Sequence, residues 1–448
     1  MNEEKYVSMT ELGSLYPAHI ETIKSRHDRA LERAGAGHAV VFSGAPHVAF
    51  LDDYVYPFIA NPHFVGWLPL TNTAFCYLVY TPGETPILVY YQEKDYWHTP
   101  PSDPTGYWTD FFDIRVVHKH EDVAEHLPVE REKCVFIGDI RNEAQAWGIE
   151  RQNPASVVNM LHYNRGVKTA YELECMRGAS RRAVAGHIAA ENAFRNGKSE
   201  FSIHLEYCDA TAHVERELPY GNIIALNDHG AIMHYQHQSH TVPQPINSFL
   251  IDAGASIFGY AADITRSYSY DSSEFAELID RFDVLQLELV AEVRAGLDFK
   301  ELHLLTHRKI ADLLIELDFA RGSSDALIEN DVTAAFFPTG LGHLLGIQVH
   351  DVGGFLEDDT GNVIDRPSGH PFLRLTRELQ VDQVLTVEPG MYIIDMLLDN
   401  LQGTPGHAMV NRERVDWLRP FGGVRIEDNV RVLADGCENM TRDAFAAT

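Results

Sequence analysis

Residues 249–268, FLIDAGASIFGYAADITRSY, place two acidic side chains in apolar, strand-like sequence on either side of a glycine-containing turn. Asp252 and Asp263 are separated by ten residues, among which are Gly254 and Gly259. An even gap of this size suits facing positions across a short hairpin, so we expect both carboxylates on one face of a sheet. Two like charges that close repel each other and favour protonation unless a cation lies between them.

Three more ionisable residues occur downstream in equally apolar or glycine-rich contexts: His343 in TGLGHLLG, Glu388 in VLTVEPG and Glu427 in GVRIEDNV. A carboxylate in such a context has to be paired, protonated or bound to a metal. Four carboxylates and one imidazole supply roughly enough donors for two divalent ions, and they favour Mn²⁺, Mg²⁺ or Co²⁺ over a thiolate-type zinc site. Paired ions typically activate a water molecule and polarise a carbonyl. The set predicts a dinuclear metallohydrolase.

Each of these five residues, taken singly, is more often structural than functional, because an aspartate at a strand end is usually a cap or turn residue. Their joint occurrence in five similar contexts is what favours the metal site. Strand alternation also puts a hydrogen-bonding side chain on the same face as three of them: Thr265 beside Asp263, Thr386 beside Glu388 and Arg425 beside Glu427.

Composition limits the classes of partner. The chain has 448 residues, a length that predicts two domains, and 65 acidic against 36 basic residues give a net charge of −29. So acidic a chain argues against nucleic acid as a partner. Five cysteines without CxxC spacing, a start without a signal peptide and no apolar run of roughly 20 residues predict a cytoplasmic protein without a membrane partner.

The sequence predicts an α+β protein in two parts. Residues 1–160 are expected to form a smaller α/β domain, with an amphipathic helix near 16–34 and a hairpin built from AFCYLVY and ILVYYQ. Residues 161–448 are expected to form the larger, site-bearing domain. Its first helix starts at a capping box made by Thr169 and Glu172 and ends at Asn196-Gly197.

Beyond that helix the period changes to two, which predicts strands from Ile223 to about Thr265. Helices are expected near 273–295 and 300–318, followed by strands that carry the remaining candidate ligands. The histidine-rich segment HYQHQSH (234–240) resembles a metal cluster in composition. Alternation would turn His237 away from its neighbours, so we interpret the segment as supplying one pocket residue rather than a third metal site.

The ordered motifs IDAG, ADITR, GLGHLLGIQVHDVGG, TVEPGMY and GGVRIEDN resemble those of the pita-bread metallopeptidases, the family of methionine aminopeptidase, aminopeptidase P and prolidase. The N-terminal domain and the segments PYGNIIALN, HPFLRLTR and RPFGGVRIEDN look most like bacterial prolidase, in a subgroup that includes organophosphorus acid anhydrolases. The resemblance covers nearly the whole chain. It implies a C-terminal pita-bread domain with a curved, mostly antiparallel sheet backed by helices.

The resemblance also implies a role for each site residue. Two divalent ions, with Mn²⁺ first and Co²⁺, Mg²⁺ or Zn²⁺ as alternatives, would be held by the five candidate ligands: Asp252, Asp263, His343, Glu388 and Glu427. Asp263 and Glu427 would bridge the two ions. Glu388 would double as the acid/base for a bridging hydroxide that attacks the scissile bond.

The same resemblance predicts a substrate pocket. His350 would steady the tetrahedral oxyanion, and His234 with Arg374 would hold the proline carboxylate. The remaining pocket residues are Arg425 and Tyr220 on the wall and Asp53, which would reach the partner subunit's site in a homodimer. One departure is Thr339, because related enzymes read HGxGH where this chain reads TGLGH. The threonine lacks a titratable imidazole, which bears on leaving-group preference and on bulky phosphoesters.

The expected activity is hydrolysis of dipeptides with a C-terminal proline, with a side activity on organophosphate triesters. Three alternatives stay open. An aminopeptidase P would act on longer Xaa-Pro peptides, and a primary phosphotriesterase would use the same hydroxide on phosphorus. A metal-free binding protein, as occurs among histone-chaperone and proliferation-associated relatives, would have lost the ligands, whereas this chain keeps all five. Creatinase-like chemistry without metal is disfavoured for the same reason.

Overall fold

A computed structural model describes residues 3–271 and 273–448. The chain divides into two compact units. The first consists of Met1–Cys175, Ile257–Tyr260 and Leu356–Val363, and the second consists of Met176–Ser256, Ala261–Phe355 and Ile364–Thr448. The domain division expected from the sequence, 1–160 and 161–448, stays a prediction.

The first unit is built on a six-stranded mixed sheet with the strand order β4-β3-β2-β1-β5-β6. The strands are β1 (His38–Phe42), β2 (Tyr77–Tyr80), β3 (Ile87–Tyr91), β4 (Asp113–Val117), β5 (Cys134–Ile137) and β6 (Arg151–Gln152). The predicted hairpin forms between β2 and β3, which pair antiparallel, whereas β1 and β5 pair parallel. Apolar side chains of these strands, such as Val40, Val79 and Phe136, form the core of this unit.

The helices of the first unit are α1 (Met9–Ala34), α2 (Pro62–Val65), α3 (Asn142–Ala146) and α4 (Ala155–Arg165). Helix α1 begins earlier than its predicted start near residue 16, because Ser8 caps it by accepting a hydrogen bond from the Glu11 N–H. It ends at Gly35, whose φ of +57° lies in the left-handed region.

The second unit contains small antiparallel sheets, in agreement with the predicted fold class. Their orders are β11-β8-β7, β12-β15-β16 and β13-β14. The strands after β6 are β7 (Ile223–Leu226), β8 (Ser248–Asp252), β9 (Ser256–Ile257), β10 (Tyr260–Ala261), β11 (Thr265–Ser269), β12 (Val384–Val387), β13 (Gly390–Tyr392), β14 (Gly423–Arg425), β15 (Asp428–Val432) and β16 (Cys437–Asn439). Single bridges join Thr265 to Glu427 and Leu344 to Leu385, so loops between strands are tied to neighbouring sheets.

Helices back these sheets and share an apolar core with strands β12 to β15, which includes Phe282, Leu314, Val387 and Ile426; a separate core that includes Phe194, Ile203 and Phe249 lies around β7 and β8. The helices after α4 are α5 (Ala170–Arg195), α6 (Glu200–Thr211), α7 (Glu274–Glu292), α8 (Phe299–Glu316), α9 (Ser324–Glu329), α10 (Val332–Phe336), α11 (Asp395–Asn400), α12 (Pro405–Met409), α13 (Arg412–Leu418) and α14 (Met440–Ala446). Helices α7 and α8 confirm the two predicted near 273–295 and 300–318.

The capping box at the start of α5 is confirmed, because the Thr169 N–H donates to Glu172 Oε2 at 2.7 Å and the Glu172 N–H donates to Thr169 Oγ1 at 3.3 Å. The continuous strands expected from Ile223 to Thr265 are wrong for residues 227–247, which have no strand. Asn227 takes a φ of +58° directly after β7 and ends it.

The alternation expected for residues 234–240 is wrong for the same reason, since this segment is a loop. Tyr235 is buried, whereas His234, Gln236 and His237 are exposed. Within residues 3–271 and 273–448, no helix is both long and apolar enough to cross a bilayer.

Candidate metal centre

The five predicted ligands lie at strand ends and in loops of the second unit. Asp252 ends β8, Asp263 precedes β11, His343 lies between α10 and β12, Glu388 connects β12 to β13, and Glu427 connects β14 to β15. Asp263, His343 and Glu427 are 6%, 3% and 2% exposed, and each offers a ligand atom within 4.8 Å of those of the other two. The structure therefore brings together residues that are 164 positions apart in sequence (427 − 263).

The expected hairpin register between Asp252 and Asp263 is wrong by two residues. Asp252 pairs with Thr265 in the β8–β11 ladder, and Asp263 lies before β11 begins. The segment between the two aspartates includes the short strands β9 and β10 rather than a simple turn. The two carboxylates are therefore diagonal neighbours, and they still influence each other, since the charge of Asp263 contributes to the raised pKa of Asp252.

The electrostatics of this cluster favour a cation. Burial raises the pKa of Asp252 to about 6 and that of Glu388 to about 7, and neighbouring carboxylates add to both shifts. Burial and the charges of Asp263, Glu388 and Asp252 raise the pKa of Glu427 well above its usual value. Burial also opposes ionisation of Asp263, but a hydrogen bond and positive charge from His343 lower its pKa. Four neighbouring carboxylates, two of them buried and two partly buried, cannot all ionise without compensating positive charge.

One carboxylate oxygen of the cluster has no proton donor among the described residues. Asp252 Oδ2 accepts a hydrogen bond from Arg425 Nη2 at 2.7 Å, but its Oδ1 is buried and accepts none from any residue that the structure describes. The single hydroxyl proton of Tyr220 is used at Asp263 Oδ1, at 2.5 Å. An unpaired buried carboxylate oxygen is costly, and it is the arrangement expected of a metal ligand.

The imidazole of His343 also faces the carboxylate cluster. Its Nδ1 lies 3.0 Å from the Leu344 carbonyl oxygen and has to donate to it, so Nε2 is the ring nitrogen that faces the carboxylates. That Nε2 lies 3.5 Å from Asp263 Oδ2 and 3.6 Å from Glu388 Oε1. A metal ion in place of the Nε2 proton would interact favourably with the imidazole and with both carboxylates, so the donor set fits divalent metal ions.

Hydrogen bonds from neighbouring strands hold the ligands in place. Thr386 Oγ1 donates to Glu388 Oε1 at 3.3 Å, as its position on the strand predicts. Thr265 and Arg425 differ from the prediction, because Thr265 donates to Glu427 Oε2 at 2.7 Å and Arg425 donates to Asp252. Strand alternation identified the right side chains, but their partners lie across the sheet rather than two residues away.

Two supporting residues have no clear signal in the sequence. Asn429 accepts from the Asp263 N–H at 3.0 Å and donates to the Asp263 carbonyl oxygen, which fixes the backbone of that ligand. Tyr392 accepts a hydrogen bond from Arg425 Nη1 at 3.1 Å. Gly342 has a steric role, because an added Cβ would lie 2.0 Å from the Thr386 carbonyl oxygen.

A third residue that the sequence did not single out is Glu200, in the first turn of α6. It is buried, and its carboxylate accepts from the Leu226 and Ser239 N–H groups, from His229 Nδ1 and from the Tyr235 hydroxyl, at 2.7–2.8 Å. These bonds anchor the loop after β7, which carries His234. The sequence offered one signal for this role, a glutamate at the start of a helix and on its apolar face.

The structure places the predicted pocket residues as follows. The ring of His350 is edge-on to that of His343, with a centroid separation of 4.4 Å. Partial burial lowers the pKa of His350 to about 4, and the nearby positive charges of His343, Arg374 and His234 add to the shift. Arg374 and His234 therefore each lie within electrostatic reach of His350, and all three residues are exposed.

The other predicted pocket residues differ in their surroundings. Arg425 and Tyr220 contact ligands directly, as described above. Asp53 is exposed in the first unit. Thr339 Oγ1 is buried and has no hydrogen-bond partner in the part of the chain that the structure describes. The roles assigned to all these residues stay predictions.

Comparisons with known proteins place the chain in a family. The model of the Xaa-Pro dipeptidase N-terminal domain matches residues 14–163, and the model of metallopeptidase family M24 matches residues 174–434. An Xaa-Pro dipeptidase of Xanthomonas oryzae pv. oryzae (strain MAFF 311018) is 48% identical over 442 residues, which cover 98% of this chain and 100% of that protein. An Xaa-Pro dipeptidase of Shewanella baltica (strain OS195) is 49% identical over 435 residues, 97% of this chain and 99% of that protein.

Solved structures agree at the level of the fold. Pseudomonas aeruginosa aminopeptidase PepP superimposes with a TM-score of 0.74 at 21% identity, over 95% of both chains. Zinc-substituted Escherichia coli aminopeptidase P, solved with its product, gives a TM-score of 0.71 at 22% identity, over 94% of both chains. The chain belongs to metallopeptidase family M24, and within that family it has the N-terminal domain of the Xaa-Pro dipeptidases.

Proposed function

We propose that this protein is a dinuclear metal-dependent Xaa-Pro dipeptidase. The observation that carries the proposal is the cluster of four buried or partly buried carboxylates with His343, in which Asp252 Oδ1 has no proton donor among the described residues, in a chain that is 48% identical to an Xaa-Pro dipeptidase over nearly its full length. Asp252, Asp263, His343, Glu388 and Glu427 would hold two divalent ions, with Mn²⁺ first among Mn²⁺, Co²⁺, Mg²⁺ and Zn²⁺. Oxygen-rich sets of this kind favour Mn²⁺ over softer metals.

When bound, such ions supply a nucleophilic water at neutral pH and polarise the scissile carbonyl. The protein supplies the proton transfers and the orientation. Glu388, held by Thr386, is the acid/base that takes a proton from the attacking water and returns it to the proline nitrogen. His350 is held neutral by its surroundings, so its N–H donates to the oxygen of the tetrahedral intermediate without adding a charge.

Arg374 and His234 explain why a dipeptide would be preferred. A proline carboxylate one residue beyond the scissile bond needs a positive partner, and an exposed arginine beside His350 provides a charge-assisted hydrogen bond. Extension of the substrate beyond proline removes this carboxylate from the reach of Arg374. Tyr220 and Arg425 would line the pocket from the ligand side, since both contact the metal-binding aspartates.

The proposal is tested by metal-dependent hydrolysis. Chelated protein should be inactive, and Mn²⁺ should restore cleavage of Ala-Pro with little cleavage of Ala-Pro-Ala. Glu427→Gln should abolish the restored activity, whereas the matched control Glu316→Gln, an exposed glutamate of α8, should retain it. Equal or better cleavage of the tripeptide would favour an aminopeptidase P. Activity that survives complete chelation would contradict a metal-dependent reaction.

Three finer proposals accompany this activity. The protein would be cytoplasmic, which is supported by five free cysteines. It would form a homodimer in which Asp53 reaches the partner's site, and Asp53→Ala in sedimentation and kinetic assays tests both parts of this statement. A side activity on organophosphate triesters would show as fluoride release from a fluorophosphate with a kcat/KM below that for Ala-Pro.

A further inference from the structure

Three histidines form a second cluster in the second unit, separate from the five candidate ligands. His303 and His307 lie one turn apart on α8, and His370 lies in the loop before β12. His303 and His307 are 1% and 2% exposed, and His370 is half-buried. One ring nitrogen of each lies within 4.8 Å of those of the other two.

The hydrogen bonds within this cluster are incomplete. His303 Nε2 lies 2.9 Å from His370 Nδ1, and His307 Nδ1 lies 3.1 Å from Thr333 Oγ1. The remaining nitrogens of the two helical residues, His303 Nδ1 and His307 Nε2, are buried and have no partner in residues 3–271 and 273–448. Each such atom costs about 1–3 kcal/mol when it is left unpaired. A cluster with a purely structural role would be expected to pair them.

The protonation state and the spacing both suit metal ligands. Burial lowers the pKa of His303 to about 2 and that of His307 to about 3, and it also lowers the pKa of His370. All three rings are therefore neutral at pH 7, as ligating imidazoles must be. Bonds of about 2.0–2.1 Å to a tetrahedral ion place two ligand nitrogens roughly 3.4 Å apart. This value lies between the 2.9 Å that separates His303 Nε2 from His370 Nδ1 and the 4.8 Å within which one nitrogen of each ring lies.

We propose that His303, His307 and His370 bind one divalent transition-metal ion of the Zn²⁺ class. Three imidazoles without a carboxylate favour Zn²⁺, Cu²⁺ or Ni²⁺ over Mn²⁺ and Mg²⁺, in contrast to the oxygen-rich centre described above. The half-buried side of His370 leaves the remaining coordination position to water. The ion would link α8 to the loop that also carries Arg374.

The loop that carries His370 also contacts the segment that leads to the candidate ligand His343. Gly340 approaches the same loop closely, since an added Cβ would lie 2.9 Å from the Leu373 Cα and 3.0 Å from the Phe372 carbonyl oxygen. Phe337 packs against both helical histidines, with centroid separations of 6.1 Å from His303 and 5.2 Å from His307. Metal at the three histidines would therefore restrain the backbone on either side of Gly340.

The experiment uses the full chain with the five-ligand centre disabled by Asp263→Asn and Glu427→Gln. This double variant, freed of metal and then exposed to ZnCl₂ and desalted, should retain one Zn²⁺ per chain by elemental analysis. Adding His370→Gln should reduce the retained Zn²⁺ at least tenfold. The matched control His407→Gln, an exposed histidine of the same unit, should leave it unchanged.

X-ray absorption of the zinc-loaded double variant provides a measurement that needs no change in the cluster. A first shell dominated by imidazole nitrogen is expected. No retained Zn²⁺, retention unaffected by His370→Gln, or an oxygen-dominated shell would each overturn the proposal. These outcomes are independent of the proposed peptidase activity, which is read from Mn²⁺-dependent hydrolysis by the unmodified chain.

Discussion

At the residue scale, Arg425 connects three strands around the candidate metal centre. Its guanidinium donates to Asp252 Oδ2 at 2.7 Å, to Thr265 Oγ1 at 3.1 Å and to the Tyr392 hydroxyl at 3.1 Å. The side chain is buried, so its charge is not screened by solvent. It offsets part of the burial that raises the pKa of Asp252. Arg425 therefore favours the ionised form of the candidate ligand Asp252 and fixes its orientation.

Arg425→Met should weaken Mn²⁺ binding about 10–100-fold, because Asp252 loses its guanidinium partner and part of its orientation. Isothermal titration of the chelated protein with MnCl₂ measures the change. The control is Arg308→Met, which removes an exposed arginine paired with Asp325. An unchanged Mn²⁺ affinity in Arg425→Met would show that Asp252 does not depend on this guanidinium.

A second residue-scale prediction concerns acid stability and lies in the first unit. His27 is buried on α1, where Nδ1 donates to the Ile23 carbonyl oxygen at 2.9 Å and Nε2 accepts from Trp67 Nε1 at 3.4 Å. Burial lowers the pKa of His27 to about 4, and the charge of Arg26 adds to the shift. Only the neutral ring can both donate and accept in this way.

The unfolded chain binds a proton at His27 more readily than the folded chain does. The free energy of unfolding should therefore fall as pH drops from 6.5 to about 4. Above pH 6.5, His27 should not change the free energy of unfolding further. The loss is about 3 kcal/mol at about 1.4 kcal/mol per pH unit. Urea unfolding between pH 4 and 7 should show a shallower slope for His27→Gln, by up to one proton, than for His407→Gln. Equal slopes in the two variants would contradict this account.

The five candidate ligands could be identified from the sequence because each is an ionisable residue in an apolar or glycine-rich context, where a charge is costly unless it has a partner. Their partners could not be identified in the same way. Asn429 contacts Asp263 across 166 residues, and Arg425 contacts Asp252 across 173. Such contacts depend on sheet register, which strand alternation alone does not specify.

At the element scale, the loop after β7 depends on a single carboxylate in α6. Glu200 accepts from the backbone N–H of Leu226, the last residue of β7, and from one backbone N–H and two side chains of that loop, although none of those residues lies in its own helix. Asn227 adds a second support, since its Oδ1 accepts from the Asn247 N–H at 2.8 Å. An irregular loop with its backbone bonded in this way can hold His234 in one position.

Glu200→Gln should destabilise the fold by about 1–3 kcal/mol, because an amide can accept at only one of its two positions and leaves buried donors unpaired. If His234 holds the proline carboxylate, the KM for Ala-Pro should rise more than kcat falls. Glu206→Gln, which changes a partly exposed glutamate on the same helix, is the control for both measurements. A fall in kcat with an unchanged KM would argue against a positioning role for Glu200.

Most long elements follow from their sequence, and the short ones do not. Helices α5, α7 and α8 have apolar periodicity over many residues, and the capping box at Thr169 fixes the start of α5. By contrast, the residues between β7 and β8 are predicted to form strands because their apolar and polar side chains alternate. A left-handed Asn227 and the carboxylate of Glu200 turn this segment into a loop. Tertiary hydrogen bonds therefore override local pattern there.

At the scale of the whole molecule, each unit has an apolar core of its own. Val40, Tyr77 and Phe136 belong to the core of the first unit, and the core of the second unit surrounds strands β12, β14 and β15. The five candidate ligands belong entirely to the second unit. Metal binding should therefore stabilise one unit selectively.

Saturating Mn²⁺ should slow amide hydrogen exchange in peptides that cover residues 250–268, 340–346, 384–392 and 423–432. Exchange in β1–β5 should change little. At a concentration 100 times its Kd, a bound ion adds about 2.7 kcal/mol to the free energy of local opening. Exchange mass spectrometry with and without Mn²⁺ measures this pattern, and Asp263→Asn is the control. Uniform protection of both units would contradict a stabilisation confined to the second.

The spread of the five candidate ligands along the chain has a consequence for biogenesis. They are contributed by strand ends and loops from Asp252 to Glu427, and Glu427 is set in place by its bridge to Thr265. A nascent chain that has not yet reached β14 and β15 lacks a ligand and the strand that positions it. Metal loading at the proposed centre would therefore follow synthesis of this last segment, and a truncated translation product would lack the complete ligand set.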